Sequence, residues 1–194
     1  MRVHVIHAHP VETSYNRALF NTVVEALTAR EHAVDALDLY AENFDAVLSR
    51  EERIEYQDVP GNLTPATKPY VDRLRAAEAI VFVHPVWNYG YPAILKGYFD
   101  RVFLPGVSFD LVDGKVQPAL TNIRRAAFVA SYGGDRWRTM LMGDPPRRLA
   151  RRWAWATFQT RRPPTYLALY DMDNRSEAEL RGFLDKVRGE FSRW

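Results

Sequence analysis

Three short segments, HAHPVETSYN (7–16), PVWNYGYP (85–92) and SYGGDRW (131–137), hold most of the side chains whose types and spacing could do chemistry in this 194-residue sequence. In the first, Thr13, Ser14, Tyr15 and Asn16 stand at the head of a stretch with helical period. Free backbone N–H groups and the positive end of a helix dipole favour an anion there. His9 adds a donor or a charge. The group suits a phosphate, and Thr13 or Ser14 equally suits plain helix capping. In the second, Pro85, Val86, Trp87, Asn88 and Tyr89 put aromatic rings where loops are ordinarily polar. Trp87 and Tyr89 offer flat walls to a planar heterocycle, and the backbone around Asn88 and Gly90 offers donors to its polar edge. A dimer contact or core packing would use the same rings. In the third, Ser131 precedes Gly133 and Gly134, which let a backbone approach a ligand edge closely or simply make a tight turn.

The elements that must position these segments can be read from the apolar pattern. RVHVIH (2–7), AVDALDL (33–39), AIVFVH (79–84), RAAFVAS (125–131) and TYLALYD (165–171) are short runs bounded by turn residues, as buried strands are. Between them, 14–30 places Ala18, Leu19, Val23, Ala26 and Leu27 on one helical face. The segment 176–191 opens with Ser176 and Glu179 at capping-box spacing and carries Leu180, Phe183, Leu184, Val187 and Phe191 as its inner stripe. Strands this continuously apolar, alternating with helices, imply a parallel sheet covered on both faces, the doubly wound class. Two stretches interrupt the alternation. Ser49 and Glu52 have capping-box spacing before a Pro-rich loop, and 106–120 reads as an inserted hairpin turning at Asp113-Gly114. In open sheets of this class ligands bind beyond the carboxyl ends of the strands, where strand order reverses. The three segments follow the first, third and fourth strands. Together they outline a phosphate pocket, a flat slot and a second wall, as a flavin nucleotide requires. Neither a Gly-x-Gly-x-x-Gly fingerprint nor a P-loop is present.

Composition narrows the field. The length fits one domain over 1–194, and 47% hydrophobic with 26% charged residues is globular. The absence of cysteine excludes disulfides, thiolate metal sites and a cysteine nucleophile. A net charge of +2 gives no field that would point to nucleic acid. Without an 18-residue apolar run or a signal-like N-terminus, a soluble, cytoplasmic protein is expected. RRLARRWAWATFQTRR (147–162) concentrates six arginines. It reads as a helix with a solvated basic face, a phosphate-binding patch, a dimer contact or a membrane-surface helix.

AHPVETSYNRAL and HPVWNYGYPAILKGYFDRVFLPGVSF, with DLYAENF (38–44), resemble the quinone reductase family of flavodoxin-like flavoproteins, which includes DT-diaphorase and the potassium-efflux ancillary oxidoreductases. NYGYPAILKGYFDRV is also similar to the flavin loop of FMN-dependent azoreductases. The resemblance runs from residue 3 to about 135 and implies a flavodoxin-like sheet of five parallel strands in the order 2-1-3-4-5. It implies a homodimer with the flavin at the interface, NADH or NADPH as reductant, and a quinone-like, nitro or azo acceptor reduced in a ping-pong cycle. By motif position, His9, Thr13, Ser14, Tyr15 and Asn16 would meet the flavin phosphate and ribityl chain. Pro85, Val86, Trp87, Asn88 and Tyr89 would line the ring, and Ser131, Gly133 and Gly134 would meet its pyrimidine edge. FMN is favoured over FAD, because the adenine pocket of FAD-binding relatives draws on late residues that have no counterpart motif here. Some relatives carry a Tyr and a His after the glycine loop; here the segment is DRWRTMLMGD, with Met142 about where the His falls, so no catalytic acid or base is assigned. Arg136, Arg138 or the 147–162 arginines suit the 2′-phosphate of NADPH. On the same fold, a flavodoxin-type electron carrier or a flavin-binding regulatory subunit of a membrane transporter are the alternatives.

Overall fold

Residues 1–160 and 162–194 are described by a computed structural model, so Arg161 of the basic segment lies outside the described residues. In chain order the elements are β1 (Arg2–His7), α1 (Tyr15–Thr28), β2 (Ala33–Asp38), α2 (Arg50–Ile54), α3 (Lys68–Ala76), β3 (Ala79–Val86) and α4 (Ala93–Val102). There follow β4 (Phe109–Val112), β5 (Lys115–Pro118), β6 (Arg125–Tyr132), α5 (Arg136–Leu141), α6 (Pro145–Phe158), β7 (Thr165–Leu169), a 3-10 turn (Met172–Asn174) and α7 (Glu177–Phe191). The main sheet has the order β2-β1-β3-β6-β7, and every adjacent pair is parallel. Counting only these five strands, that is the expected order 2-1-3-4-5.

Period-two alternation divides each strand between two cores. Val3, Val5, Val81, Val83, Ala127 and Val129 pack against Leu19, Val23 and Leu27 of α1 and Phe183, Val187 and Phe191 of α7. Ile6, Ile80, Phe82 and Phe128 face the other way, against Leu95, Tyr98 and Val102 of α4 and Ala150, Ala154 and Phe158 of α6. Both faces are covered, which explains why the strands read as unbroken apolar runs rather than as alternating ones.

The local signals behave as their chemistry requires. Both capping boxes form, Ser49 with Glu52 on α2 and Ser176 with Glu179 on α7. The hairpin β4–β5 turns through Asp113 (φ 50°) and Gly114 (φ 73°), the left-handed pair of a two-residue turn. Three readings shift. Ser14, not Thr13, caps α1, accepting from the Arg17 N–H at 3.1 Å. Phe20 is buried where Ala18 is only half-buried, because the true inner stripe of α1 lies slightly around the helix. β3 also runs two residues further, through Pro85 and Val86, which pair with Ser131 and Tyr132. Proline is tolerated there because β1 stops opposite Val83. The Val83 carbonyl accepts from the Ala8 N–H, so the Pro85 nitrogen, two residues on, faces the same side, now beyond the end of β1. No helix among the described residues is long and apolar enough to cross a membrane.

Candidate functional site

At the carboxyl edge of β1, β3 and β6 the chain leaves a cavity of about 220 Å³. Nine of the thirteen residues singled out from sequence line it: His9, Ser14, Tyr15, Asn16, Pro85, Val86, Trp87, Ser131 and Gly133. Thr13, Asn88, Tyr89 and Gly134 do not.

The first wall comes from the β1–α1 loop. The His9 Nδ1 accepts from the Val11 N–H at 3.1 Å, which leaves the proton on Nε2, and burial holds its pKa below the usual histidine value. A neutral His9 is thus a fixed donor. Asn16 is almost fully buried and donates from Nδ2 to the Ser131 Oγ at 3.2 Å, tying α1 to β6, while its Oδ1 has no partner. Reversing the amide only exchanges the two ends, so one polar atom of Asn16 stays unsatisfied beside the cavity in either orientation. The Tyr15 hydroxyl donates to the Leu180 carbonyl at 2.8 Å, anchoring the loop to α7, and burial raises its pKa. Beneath this loop His7 is fully buried. Burial first and then Arg17 hold its pKa at about 4, while Arg17 itself pairs with Asp38.

The second wall is the tight turn Trp87–Gly90, closed by Gly90 N–H to Trp87 O at 2.8 Å and Trp87 N–H to Gly90 O at 3.1 Å. Its central residues, Asn88 (φ 48°) and Tyr89 (φ 58°), are both left-handed. Asparagine tolerates that conformation, but tyrosine adopts it at a cost of about 1 kcal/mol or more. The turn directs Trp87 over the cavity, edge-on to His9 at 5.8 Å between centroids, and leaves it 41% exposed. Tyr89, 39% exposed, is not among the lining residues. His84, fully buried below, donates from Nδ1 to the Pro85 carbonyl at 2.9 Å, and burial lowers its pKa to about 4.

The floor is the β6 end. A Cβ at Gly133 would come within 3.1 Å of the Asp173 Oδ2, so the glycine admits that side chain. Gly134 serves as a tie, since its carbonyl accepts from the Asp171 N–H at 3.0 Å and joins the β6 loop to the β7 loop. Met172 and Asp173, on the 3-10 turn after β7, complete the lining. Sequence reading passed over them, although the strand-end rule that selected the other loops applied equally to β7.

Behind the glycine loop, Asp144 is buried and accepts from the Tyr132 hydroxyl at 2.8 Å and the Tyr170 hydroxyl at 2.6 Å. Tyr132 also meets the Tyr166 hydroxyl at 2.5 Å. Burial pushes the pKa values of all three phenols up. This network fixes the start of α6 to the sheet. Met142, about where the resemblance would put a histidine, is 56% exposed. A larger apolar groove, about 510 Å³, lies away from the strand-end cavity, between α4, the hairpin and α6. Among the described residues no group of His, Cys, Asp or Glu could hold a metal ion.

The uncharacterized NAD(P)H oxidoreductase YcaK of Escherichia coli strain K12 is 30% identical over 142 residues, 73% of this chain and 69% of the relative. An FMN-dependent NADH:quinone oxidoreductase of Lachnoclostridium phytofermentans is 33% identical over 111 residues, 54% of this chain and 53% of that one. The chain thus spans about half to two thirds of the length of these two relatives. The crystal structure of Smu.1420 from Streptococcus mutans UA159 matches with a TM-score of 0.86 and 26% identity over 100% of both chains. A family model described as the flavodoxin-like fold matches residues 1–179. The chain belongs to the flavodoxin-like fold family.

Proposed function

We propose that this protein is an FMN-dependent NAD(P)H oxidoreductase that reduces quinones or related nitro and azo acceptors, with 1–194 forming one flavin-binding unit. The observation that carries the reading is the convergence of His9, Ser14, Asn16, Trp87, Ser131 and Gly133 on one cavity at the point where strand order reverses. The unsatisfied amide end of Asn16 fits a polar ligand that completes it.

The chemistry that FMN supplies when bound is hydride transfer, from NADH or NADPH and then to the acceptor. The chain's own residues bind, orient and shield. The His9 Nε2–H and the start of α1 receive the phosphate end, where donors and dipole favour an anion. Asn16 and Asp173 would meet the hydroxyl-bearing chain, one through its free amide end and the other as an acceptor. Trp87 would offer its indole to the ring, and Pro85, Val86, Ser131 and Gly133 would line the remainder of the cavity around it. Asn88, Tyr89 and Gly134 act as supports: Asn88 and Tyr89 form the turn that aims Trp87, and Gly134 joins the β6 and β7 loops. Because the phenol of Tyr132 is committed to Asp144 and Tyr166, no general acid is assigned.

A cavity of about 220 Å³ is below the range of roughly 300–1,000 Å³ usual for ligand pockets. It would hold the tail of a flavin and leave a ring beside Trp87 partly uncovered. That favours FMN over the larger FAD, and it favours a homodimer in which a second copy closes the ring site. The groove lined by Phe99, Phe103, Phe109, Val116 and Trp153 is the apolar surface such a copy would cover. The cytoplasm, which supplies NADH and NADPH, is the compartment that suits this activity.

The test is the visible spectrum of the purified protein, the mass of its released cofactor and NADH consumption with menadione. Bound FMN with rapid turnover is expected, and a dimer by sedimentation. A colourless protein that takes up neither FMN nor FAD ends the reading. Flavin without turnover would instead favour an electron carrier or a transporter's regulatory subunit.

A further inference from the structure

Helix α6 presents an unusual charge pattern. Arg147, Arg148, Arg151 and Arg152 form two like-charged i,i+4 pairs, and none of the four has a carboxylate partner among the described residues. Such pairs repel, and Arg147 and Arg148 also stand in the first turn, at the positive end of the helix dipole. Arg147 is occupied otherwise, with its guanidinium 5.9 Å over the Tyr166 ring. Arg148 and Arg152 line one shallow groove of about 320 Å³, together with Met142, Gly143, Pro145 and Leu149. Arg148 folds back across the turn before α6: Gly143 there has φ 82°, and a Cβ on it would lie 3.4 Å from the Arg148 Nη1. Two unpaired guanidiniums on one face suit a doubly charged, tetrahedral anion, and Met142 with Leu149 supply apolar surface for an attached ring.

We infer that this groove binds the 2′-phosphate of NADPH, with the adenine against Met142 and Leu149, and so makes NADPH the preferred reductant. The inference rests on the oxidoreductase reading and adds the site that selects the co-substrate. The position is suitable. The groove begins at Met142, one six-residue helix after the glycine loop, about 9 Å of helical rise. The adjoining Asp144 is bonded to Tyr132, the residue after the cavity-lining Ser131. An elongated dinucleotide can therefore reach from the groove to the cavity.

The probes are 2′,5′-ADP, 5′-AMP and inorganic phosphate, titrated calorimetrically into the flavin-loaded protein and into R148Q/R152Q and R151Q variants. The expected result is that 2′,5′-ADP binds about tenfold or more tighter than either other probe, as loss of a charged hydrogen-bonded pair implies. That preference should vanish in R148Q/R152Q and survive in R151Q, whose side chain does not line the groove. In turnover, kcat/KM for NADPH should fall by a similar factor in R148Q/R152Q while that for NADH stays unchanged. Equal affinity for the three probes, an equal loss in R151Q, or equal loss of NADPH and NADH turnover would overturn the inference. Missing flavin or missing NADH turnover in the native protein would sink the functional reading instead, and titration of the flavin-free protein with 2′,5′-ADP would still decide the groove.

Discussion

α6 and α7 are nearly the same length, 14 and 15 residues, and each covers one face of the same sheet, yet their outer surfaces follow opposite rules. On α7 both arginines have a carboxylate neighbour, Arg181 with Glu177 and Arg188 with Asp185, and no large apolar side chain is exposed. On α6 four arginines have no carboxylate partner among the described residues, and Leu149 and Trp155 face solvent, as do Trp137, Leu141 and Met142 of the preceding segment. α7 is a finished surface whose outer residues need only water. α6 has unbalanced charge and uncovered apolar area, the signature of a face that meets a ligand or another chain. One fold thus separates its structural helix from its recognition helix, and the separation can be tested by treating the two alike.

The largest effect belongs to the structural side. Phe191 of α7 is fully buried and packs 5.0 Å from Trp194. Phe191→Ala is expected to cost about 3–5 kcal/mol, read by urea denaturation. A loss below about 1 kcal/mol would mean that α7 is not integral to the core. On the other side, what holds α6 is polar. Asp144→Ala removes the acceptor of one buried and one half-buried phenol and is expected to cost about 2–3 kcal/mol. Combining it with Tyr132→Phe should cost less than the sum, with a coupling of about 1 kcal/mol; strict additivity would show that the network does not anchor the helix.

The same division explains what the sequence made legible. Strand order, both capping boxes and the β4–β5 turn follow from local rules, period and turn chemistry, that a single chain expresses directly. The first and second walls of the cavity were readable because Ser14, Asn16 and Trp87 stand next to strand ends, where the position of a binding site is fixed by topology. Met172 and Asp173 also follow a strand end, but that the end of β7 borders the cavity is decided by the pairing of β7 with β6, which no local signal in their turn expresses. The Tyr132–Asp144–Tyr166–Tyr170 network is likewise non-local, joining residues up to 38 positions apart, and no spacing rule announces it. Thr13 falls outside the cavity for the opposite reason: two neighbouring residues can both cap a helix, and only the backbone decides which does.

The caps give the next smaller effect. Ser176 accepts from the Glu179 N–H at 3.3 Å while Glu179 accepts from the Ser176 N–H at 2.9 Å. Ser176→Ala should cost about 1 kcal/mol, measured as a shift of the urea midpoint. Acid should act at the same place. The Ser176 backbone and side chain and Arg175 hold the Glu179 pKa down at about 2, from 4.5. A carboxyl group depressed on folding stabilises above its unfolded pKa, and that contribution is lost as pH falls through 4.5 toward 2. α6 has no carboxylate of its own to lose. Between about pH 5 and 3 the first turn of α7 should therefore gain amide exchange, corrected for intrinsic rate, more than the first turn of α6. Equal gains would remove the distinction between the two helices at that level.

The smallest effect is the most direct test, because one substitution should have opposite signs on the two helices. Arg151→Glu on α6 places a carboxylate four residues after Arg147 and replaces a repulsion by an attraction. Arg181→Glu on α7 does the reverse, setting a like charge against Glu177 in place of a partner at 2.9 Å. Each change is worth roughly 0.2–0.5 kcal/mol per pair on an exposed helix, so Arg151→Glu should raise the unfolding midpoint slightly and Arg181→Glu should lower it. Added salt should shrink both shifts, since exposed charges are screened. Shifts of the same sign would mean that the arginines of α6 are balanced in the monomer after all, and that α6 is a finished surface like α7.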